Sequence, residues 1–360
     1  MTFRYDLRRV LKTFKSKYVK WGVKLVSIRD ISIKCGFSIA TVSKALNNHS
    51  DVSSTTKEFI RKTAKEMGYF PNSSARALKT HRTYNIGVLF VDEAQSGLTH
   101  QYFSNVLDSL KVEAEKNGYD ITFINKHMGM RTMSYYEHSK YRGVDGVVIA
   151  CIDFKDKDVI ELVNGEIPVV TIDHVLDNRT AIVSDNVKGM KDLATYIYSM
   201  GHRKIAYIHG TDSSVTRNRV GSFHKTLGEF GIDVNDEYIK SGIYHDPEST
   251  ARLTNELLDL KDRPTCILFP DDFSCIGGIN AIKDRGLRIP EDISVAGYDG
   301  ITLSQVLSPK LTTVRQDTRE LGRSAAEKLI YIIENPKATI IERVVVEGEV
   351  LKGQSVKDIN

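Results

Sequence analysis

Three charged side chains lie at positions suited to bind a small molecule. Asp271 follows the segment 266–270, Asp299 follows the segment 295–298, and Arg219 follows a polar loop. Carboxylates and guanidinium groups form hydrogen bonds in fixed directions, which suits a ligand rich in hydroxyl groups. We expect Arg219 and Asp299 to hold such a ligand from opposite sides of a cleft.

The sequence lacks the motifs that would indicate an enzyme. It contains no G-x-x-x-x-G-K-[ST], no G-x-G-x-x-G after a strand, no H-E-x-x-H and no G-x-S-x-G. Asp271 and Asp272 are adjacent, as in a metal pair, but no further carboxylate or histidine cluster supports them. The four cysteines form no C-x-x-C pair, and no run of apolar residues is long enough to span a membrane. We predict no enzyme, metal, cofactor or membrane contact, and a cytoplasmic protein.

The segment 27–48 has the pattern of two short helices joined by a turn. Ser27 and Asp30 have capping-box spacing, Gly36 permits the positive φ of a tight turn, and Ser38 can cap the second helix. Such a helix-turn-helix presents the N-terminal residues of its second helix to base edges, whereas the alternative is a helical hairpin within a core. The residues that we expect at DNA are Ser27, Ser38, Ile39, Ala40, Thr41, Ser43, Lys44 and Asn47.

A third helix follows, capped by Ser53 and ended by Gly68. The apolar residues predicted to face the core of the three helices are Ile28, Ile31, Ile33, Ile39, Val42, Ala45, Leu46, Phe59, Ile60, Ala64 and Met67. The segment 72–79 is short and polar, so we expect a helix there only when a partner stabilises it.

This region resembles the DNA-binding headpiece and hinge of the lactose-repressor/galactose-repressor (LacI/GalR) family. The resemblance rests on V-S-I-R-D-I, C-G-F-S-I-A-T-V-S-K-A-L-N, M-G-Y-F-P-N and A-R-A-L-K. It implies a hinge helix that forms on operator DNA and contacts it through Arg76, Leu78 and Lys79. Leu78 would wedge into the minor groove, where an apolar side chain unstacks a base step.

From Asn85 onwards, strands alternate with helices, which predicts doubly wound parallel sheets. The pattern restarts near Ile182 and ends with a long helix, Thr318 to Glu334. Two α/β halves in sequence order would leave a cleft at the carboxyl ends of their strands, where such sheets bind ligands.

The second part of the chain resembles the family's effector domain, which is shaped like a periplasmic sugar-binding protein. The residues that carry this resemblance are N-I-G-V, M-G-H-R-K-I-A-Y-I-H-G, R-V-G-S-F, I-P-E-D-I-S-V-A-G-Y-D and S-P-K-L-T-T-V. It implies that Arg219 and Asp299 bind the effector, that Asp271 faces it and that Asp272 is structural. It also implies that Phe103 stacks on the ligand beside Tyr102, with Tyr244 a weaker candidate. The alternative for each residue is helix capping, a salt bridge or core packing.

Charge is distributed unevenly along the chain. Residues 1–24 carry a net charge of +7, residues 25–84 carry +6 and the remainder carries −9. A basic head on an acidic body indicates nucleic acid at one end only. The first 24 residues are either an arm that contacts phosphates or a segment that is not translated in the cell, with Leu25 encoded by a TTG start codon. We favour the second interpretation.

The predicted protein is a repressor of carbohydrate genes that binds a palindromic operator as a homodimer. A sugar, sugar phosphate or other sugar derivative would be its effector. The first alternative is a catabolite regulator controlled by a phosphoprotein, although Ser308 stands where that subgroup has arginine; the second is a sugar-binding receptor. The predicted regions are a basic extension (1–25), a headpiece (26–70), a hinge and linker (71–84), a two-lobed effector and dimerisation domain (85–350) and a tail (351–360).

Overall fold

A computed structural model describes residues 26–70, 77, 82–91, 97–338 and 340–360. The chain divides into two compact units, one ending at His81 and the other beginning at Arg82. The described part of the first unit contains helices α1 (Ile28–Cys35), α2 (Ile39–Leu46) and α3 (Ser54–Glu66). These three helices correspond to the predicted helix-turn-helix and the helix that follows it.

Serine side chains start all three helices, as the sequence predicts. Ser27 and Asp30 form a reciprocal capping box, while Ser38 and Ser53 accept hydrogen bonds from the backbone three residues later. Gly36 ends α1 with a φ of 72°, a left-handed conformation that glycine adopts without steric cost. The turn between α1 and α2 is therefore determined by local sequence.

The core of the first unit is smaller than the apolar pattern predicts. Its fully buried apolar side chains are Ile31, Val42, Ala45, Ile60 and Ala64. The prediction was wrong for Ile33, Ile39 and Phe59, which are 75%, 52% and 51% exposed. Ile33 lies two residues after Ile31, so it points to the opposite side of a helix with 3.6 residues per turn. Ile39 begins α2 and projects beyond the edge of this core.

The second unit contains nine described helices and fourteen described strands. The helices are α4 (Gln101–Lys116), α5 (Tyr135–Arg142), α6 (Lys157–Asn164), α7 (Asn186–Ser199), α8 (Ser214–Glu229), α9 (Pro247–Leu258), α10 (Cys275–Asp284), α11 (Thr302–Val306) and α12 (Thr318–Glu334). The strands are β1 (Asn85–Phe90), β2 (Asp120–Phe123), β3 (His127–Met128), β4 (Arg131–Thr132), β5 (Gly146–Ala150), β6 (Val169–Ile172), β7 (Thr180–Ser184), β8 (Ile205–His209), β9 (Ile239–Ser241), β10 (Cys266–Leu268), β11 (Ser294–Asp299), β12 (Thr312–Arg315), β13 (Arg343–Val346) and β14 (Glu349–Leu351).

Two six-stranded sheets organise this unit into two lobes. The first-lobe sheet has the order β13-β7-β6-β5-β1-β2, and every pair in it is parallel. The second-lobe sheet has the order β14-β12-β11-β10-β8-β9, with β14 its single antiparallel strand. The predicted fold, an all-α headpiece followed by a two-lobed unit of parallel sheets, is confirmed.

The chain passes between the lobes three times, so the predicted division into consecutive halves was wrong. Strand β7 belongs to the first lobe, although the alternation of strands and helices restarts there in the sequence. Helix α12 packs on α4 and on the first-lobe strands, with Leu321, Ala325 and Leu329 in that lobe's core. The passages therefore lie between β7 and α7, between β12 and α12, and between β13 and β14.

The last ten residues are packed into the second lobe and do not form a separate tail. Ser355 donates its hydroxyl to the Val295 carbonyl at 2.7 Å and accepts the Thr312 amide at 2.8 Å. Val356 is buried in the second-lobe core. At the other end, Arg82 donates to the carbonyls of Ile333 and Glu334, so the predicted boundary at residue 85 lies three residues too late.

None of the helices in the described part of the chain combines the length and the apolar character that a membrane span requires.

Candidate functional site

A cavity of about 520 Å³ lies between the two lobes. It is lined from the first lobe by His100, Tyr102, Phe103, Cys151, Ile152, Asp153, Phe154, Lys155, Asp173 and His174. It is lined from the second lobe by Thr211, Asp212, Ser213, Ser214, Val215, Arg217, Arg219, Ile243, Tyr244, His245, Asp271, Asp299 and Gln316. All six side chains proposed from the sequence as effector contacts therefore meet in one cavity.

Arg219 is buried in the wall of the cavity, with 3% of its surface exposed. Its Nε donates to Asn186 Oδ1 at 2.7 Å, and its Nη1 donates to the Pro270 carbonyl at 3.0 Å. Its guanidinium lies 3.5 Å from the centroid of the Tyr298 ring. These contacts fix the guanidinium plane, so Arg219 presents a rigid donor to a ligand.

The sequence misplaced the start of the helix that carries Arg219. Helix α8 begins at Ser214, because Ser213 caps it by accepting the Thr216 amide at 3.1 Å. Arg219 thus lies in the second turn of α8 and not at its first residue. The polar segment 211–216, which we interpreted as loop, contains both the cap and the first turn.

Asp299 ends β11 and points into the same cavity. It has a φ of 101°, and its Oδ1 accepts the Gln316 amide nitrogen at 2.7 Å. Burial raises the pKa of Asp299 to about 8, although Arg219 acts in the opposite direction. Because both β11 and α8 belong to the second lobe, the expectation that Asp299 and Arg219 face each other across the cleft was wrong.

The first lobe contributes its own carboxyl group, Asp173, which the sequence analysis did not select. Asp173 accepts the Tyr102 hydroxyl at 2.8 Å and the Ser184 amide at 2.8 Å. Burial raises the pKa of Asp173 as well. Asp173 directly follows β6, so the rule that selected Asp299 at a strand end would have found it.

Gln316 is a second residue that the sequence analysis missed. It is 6% exposed, lines the cavity and donates to Asp299 through its amide nitrogen. Its Oε1 is buried and has no hydrogen-bond partner among the described residues. A buried acceptor without a partner costs free energy, so a ligand that donates to Oε1 would gain from it.

Asp271 and Asp272 occupy different environments. Asp271 lines the cavity, but Ser274 and the His245 amide already donate to its carboxylate oxygens. Asp272 lies outside the cavity lining and accepts hydrogen bonds from the Ile301 amide and the Thr313 hydroxyl. Among the described residues, no group of three or more metal-ligating side chains surrounds either aspartate.

Aromatic rings line the cavity from both lobes. The His100 ring stacks on the His245 ring with centroids 4.2 Å apart, and His245 stacks on Phe273 at 4.0 Å. Because His100 precedes α4 and His245 follows β9, this stack bridges the lobes. Phe103 borders it, 5.0 Å from His100.

Tyr244 also lines the cavity, but its hydroxyl lies 2.9 Å from that of Thr216. The neighbouring His245, not selected from the sequence, forms the inter-lobe stack instead. In the first lobe, the Phe154 and His174 rings stack at 3.7 Å. The cavity therefore combines flat apolar walls with buried hydrogen-bonding groups, as in sites for ring-shaped ligands.

Asp299 should make the stability of the protein depend on pH. Because its pKa of about 8 exceeds that of an unfolded aspartate, the folded chain retains a proton that the unfolded chain has released between about pH 4 and pH 8. The contribution of Asp299 to stability therefore falls as the pH rises through this interval. Between about pH 5 and pH 8, the melting temperature of Asp299→Asn should fall less than that of the wild type, by a few degrees. Thermal melts at both pH values test this, and equal changes in the two proteins would contradict it.

In the headpiece, α2 presents one exposed face that contains five of the proposed DNA contacts. These residues are the exposed Ile39, Ala40 and Lys44, the half-buried Ser43 and the C-cap residue Asn47, and they recur at helical spacing opposite the buried core residues. Ser38 caps the start of this helix by accepting the Thr41 amide, whereas Ser27 caps α1. Arg76, Leu78 and Lys79 lie outside the described residues.

Lys44 forms an ion pair with Asp51, and this contact lowers the pKa of Asp51. Both side chains are about half exposed, so the pair contributes little to stability. The ammonium group of Lys44 must leave Asp51, or share it, when Lys44 contacts DNA.

Comparisons with known proteins match both units. The family model for bacterial regulatory proteins of the lacI family matches residues 27–72, and the model for a periplasmic binding protein-like domain matches residues 194–356. The HTH-type transcriptional repressor PurR of Photobacterium profundum is 31% identical over 93% of this chain and 100% of its own length. The probable HTH-type transcriptional repressor ExuR of Bacillus subtilis is 29% identical over 92% of this chain and 99% of its own.

Solved structures agree with this assignment. The lac repressor dimer bound to operator and the anti-inducer ONPF is 25% identical, with a TM-score of 0.77 over 92% of this chain and 99% of that one. A LacI-family regulator from Enterococcus faecium with bound ribose has the same fold, with a TM-score of 0.66, 23% identity and coverage of 77% and 100%. A helix-turn-helix joined to a two-lobed binding unit defines a ligand-responsive DNA-binding protein. The chain belongs to the LacI family and is a transcriptional repressor, as the sequence predicted, and not an enzyme.

Proposed function

We propose that this repressor binds a palindromic operator as a homodimer and controls genes of carbohydrate metabolism in the cytoplasm. Its effector would be a sugar or sugar derivative held between the two lobes. The observation that carries this proposal is the convergence of Arg219, Asp299, Asp173 and Gln316 on one cavity of about 520 Å³. A cavity of this size matches the sites that proteins use for small molecules.

The chemistry of the cavity supports a ligand with many hydroxyl groups. Gln316 Oε1 and the carboxyl groups of Asp173 and Asp299 offer acceptors, while Arg219 offers a fixed donor. Hydroxyl groups both donate and accept, so a polyol can bond to all of these groups at once. The flat ring of Phe103 would cover the apolar face of a sugar ring.

The contacts between the lobes supply a route by which such a ligand would act on DNA binding. The His100–His245 stack joins the lobes, as do hydrogen bonds from Ser214 to the Asp173 carbonyl and from Gln101 to Thr302. A ligand that enters the cavity changes the free energy of this closed arrangement. If operator DNA favours a different arrangement of the lobes, binding of the ligand and binding of the operator are coupled.

Operator binding as a dimer is supported by the helix-turn-helix and by a relative. The lac repressor, at 25% identity, was crystallised as a dimer bound to operator. Two-fold symmetric half-sites require two headpieces, and a helix-turn-helix monomer supplies one. We propose the exposed face of α2, together with Arg76, Leu78 and Lys79, as the contact surface for DNA.

A thermal-shift screen tests the effector proposal. Sugars, sugar acids and sugar phosphates would be added to the full-length protein and to Asp299→Ala, because a ligand that binds the native state raises the melting temperature. We expect at least one compound to stabilise the wild type and to leave Asp299→Ala unaffected. If every stabilising compound acts equally on both proteins, the cavity is not the effector site.

Lys44 should contribute to sequence preference and not only to affinity. Lys44→Ala should weaken binding to the selected operator more than binding to random DNA, because a base contact contributes roughly 1–3 kcal/mol of discrimination. Asp51→Asn should strengthen operator binding, since it releases the Lys44 ammonium from its ion pair. Titrations at one salt concentration measure both effects, with Lys62→Ala on α3 as the control. Equal losses on operator and random DNA would make Lys44 a phosphate contact.

A further inference from the structure

A short hairpin in the first lobe concentrates methionine side chains. Three of the seven methionines in the chain lie within six residues, as Met128, Met130 and Met133, in the pattern M-x-M-x-x-M. Met130 is completely exposed, whereas Met128 and Met133 are half-buried. None of the three belongs to the buried clusters of the first lobe in the described part of the chain, so core packing does not account for them.

The backbone of the hairpin brings the three methionines to one end of it. Strands β3 and β4 pair antiparallel, and the Met133 amide extends this pairing by donating to the Lys126 carbonyl at 2.9 Å. In this register Met128 and Met133 are diagonal neighbours on one face, within reach of each other for long side chains. Gly129, with a φ of 60°, and Met130 form the two-residue turn between the strands. The three thioether groups can therefore meet beside the turn.

Ionic contacts hold the base of the hairpin against the start of α6. The Lys126 ammonium lies 2.6 Å from the Asp158 carboxylate and 2.9 Å from the Asp156 carboxylate. Hydrogen bonds to these two carboxylates raise the pKa of Lys126, and their charges compensate that of the ammonium. Arg131, directly opposite Met128, is exposed, so water and salt screen its charge. Neither cation therefore prevents a positive ion from binding to the methionines.

We propose that Met128, Met130 and Met133 form a binding site for a soft monovalent metal ion, Cu(I) or its chemical analogue Ag(I). Thioether sulfur is a soft, uncharged ligand that selects Cu(I), whereas calcium and magnesium require oxygen ligands and zinc prefers thiolate, imidazole or carboxylate. His127 precedes Met128 in β3 and so points to the opposite face of the hairpin. The ligand set is therefore the three thioethers without the imidazole.

Competition with a chelator of Cu(I), such as bicinchoninate, tests the site in the absence of oxygen. The full-length protein would be compared with a triple variant, Met128→Leu, Met130→Leu and Met133→Leu, because leucine conserves volume but lacks sulfur. Both proteins keep all four cysteines, so copper bound by thiolates cancels in the difference. We expect the wild type to bind about one more Cu(I) than the triple variant, at about pH 5 as at about pH 8, since a thioether has no proton to release.

Methyl NMR assigns the metal to individual side chains. In the wild-type protein with isotope-labelled methionine methyl groups, Ag(I) should shift the signals of Met128, Met130 and Met133, and Zn(II) should leave them in place. Met190, completely buried in the second lobe, is the internal control. Single Met→Leu variants assign the signals, so this measurement does not depend on the folding of the triple variant.

Three results would overturn the inference. The first is equal binding of Cu(I) by the wild type and by a triple variant that melts at the wild-type temperature. The second is an Ag(I) titration in which the signals of the hairpin methionines move no more than that of Met190. The third concerns His127→Ala, which should bind Cu(I) like the wild type. Loss of the additional Cu(I) in this variant would show that the imidazole, and not a set of three thioethers, holds the metal.

Discussion

Asp299→Ala should produce a repressor that binds its operator and no longer responds to its effector. The substitution removes an acceptor from the cavity and leaves the Gln316 amide without its partner. We expect effector affinity to fall roughly 10- to 100-fold, because buried donors left without an acceptor cost about 1–3 kcal/mol, and effector-free operator affinity to change less than about twofold. Calorimetric titration with an effector from the screen measures the first effect, and an operator titration measures the second.

The matched control for this variant is Asp299→Asn, which preserves the shape of the side chain and one acceptor oxygen. It should lose less effector affinity than Asp299→Ala. A repressor with Asp299→Ala that binds effector normally but fails to bind operator would contradict the assignment of Asp299 to the effector site.

Arg219→Ala should have two effects, on effector binding and on stability. The buried guanidinium donates to Asn186 and Pro270 and covers the ring of Tyr298. Its removal leaves both buried acceptors without a donor, and each unsatisfied acceptor costs roughly 1–3 kcal/mol. We expect the melting temperature to fall by about 10 °C, together with the loss of effector binding.

Arg217→Ala provides the control on the same helix. Arg217 pairs with Asp212 at 2.6 Å, but its side chain is 63% exposed, and an exposed pair contributes about 0–1 kcal/mol. The melting temperature of Arg217→Ala should therefore stay within a few degrees of that of the wild type. If Arg219→Ala melts like Arg217→Ala, the hydrogen bonds of the buried arginine do not stabilise the second lobe.

Local sequence was sufficient to predict the three helices of the first unit and several residues of the cavity. Helix caps depend on residues three apart, so Ser27 and Ser38 could be assigned as caps without a structure. Asp271 and Asp299 could be proposed because the carboxyl ends of parallel strands share one edge of a sheet. Asp173 obeys the same rule, because it directly follows β6.

The arrangement of the lobes could not be predicted from local patterns. Strand β7 and helix α12 have the same apolar periodicity in either lobe, so the sequence does not reveal where the chain passes between them. This ambiguity led to the wrong placement of Arg219 and Asp299 on opposite sides of the cleft. The stack of His100 on His245 joins residues that are far apart in sequence. Both residues lie outside the helices and strands, so the apolar periodicity of the sequence does not indicate that they are in contact.

Reciprocal coupling between effector binding and operator binding is the most direct test of whether the cavity regulates DNA binding. Operator affinity would be measured with and without a saturating effector, and effector affinity with and without a saturating operator, at one salt concentration. If the cavity between the lobes controls the headpiece, the two ratios must be equal, and we expect a factor of roughly 5–150. Equal operator affinities in the presence and absence of a ligand that binds through Asp299 would contradict the claim that this cavity regulates DNA binding.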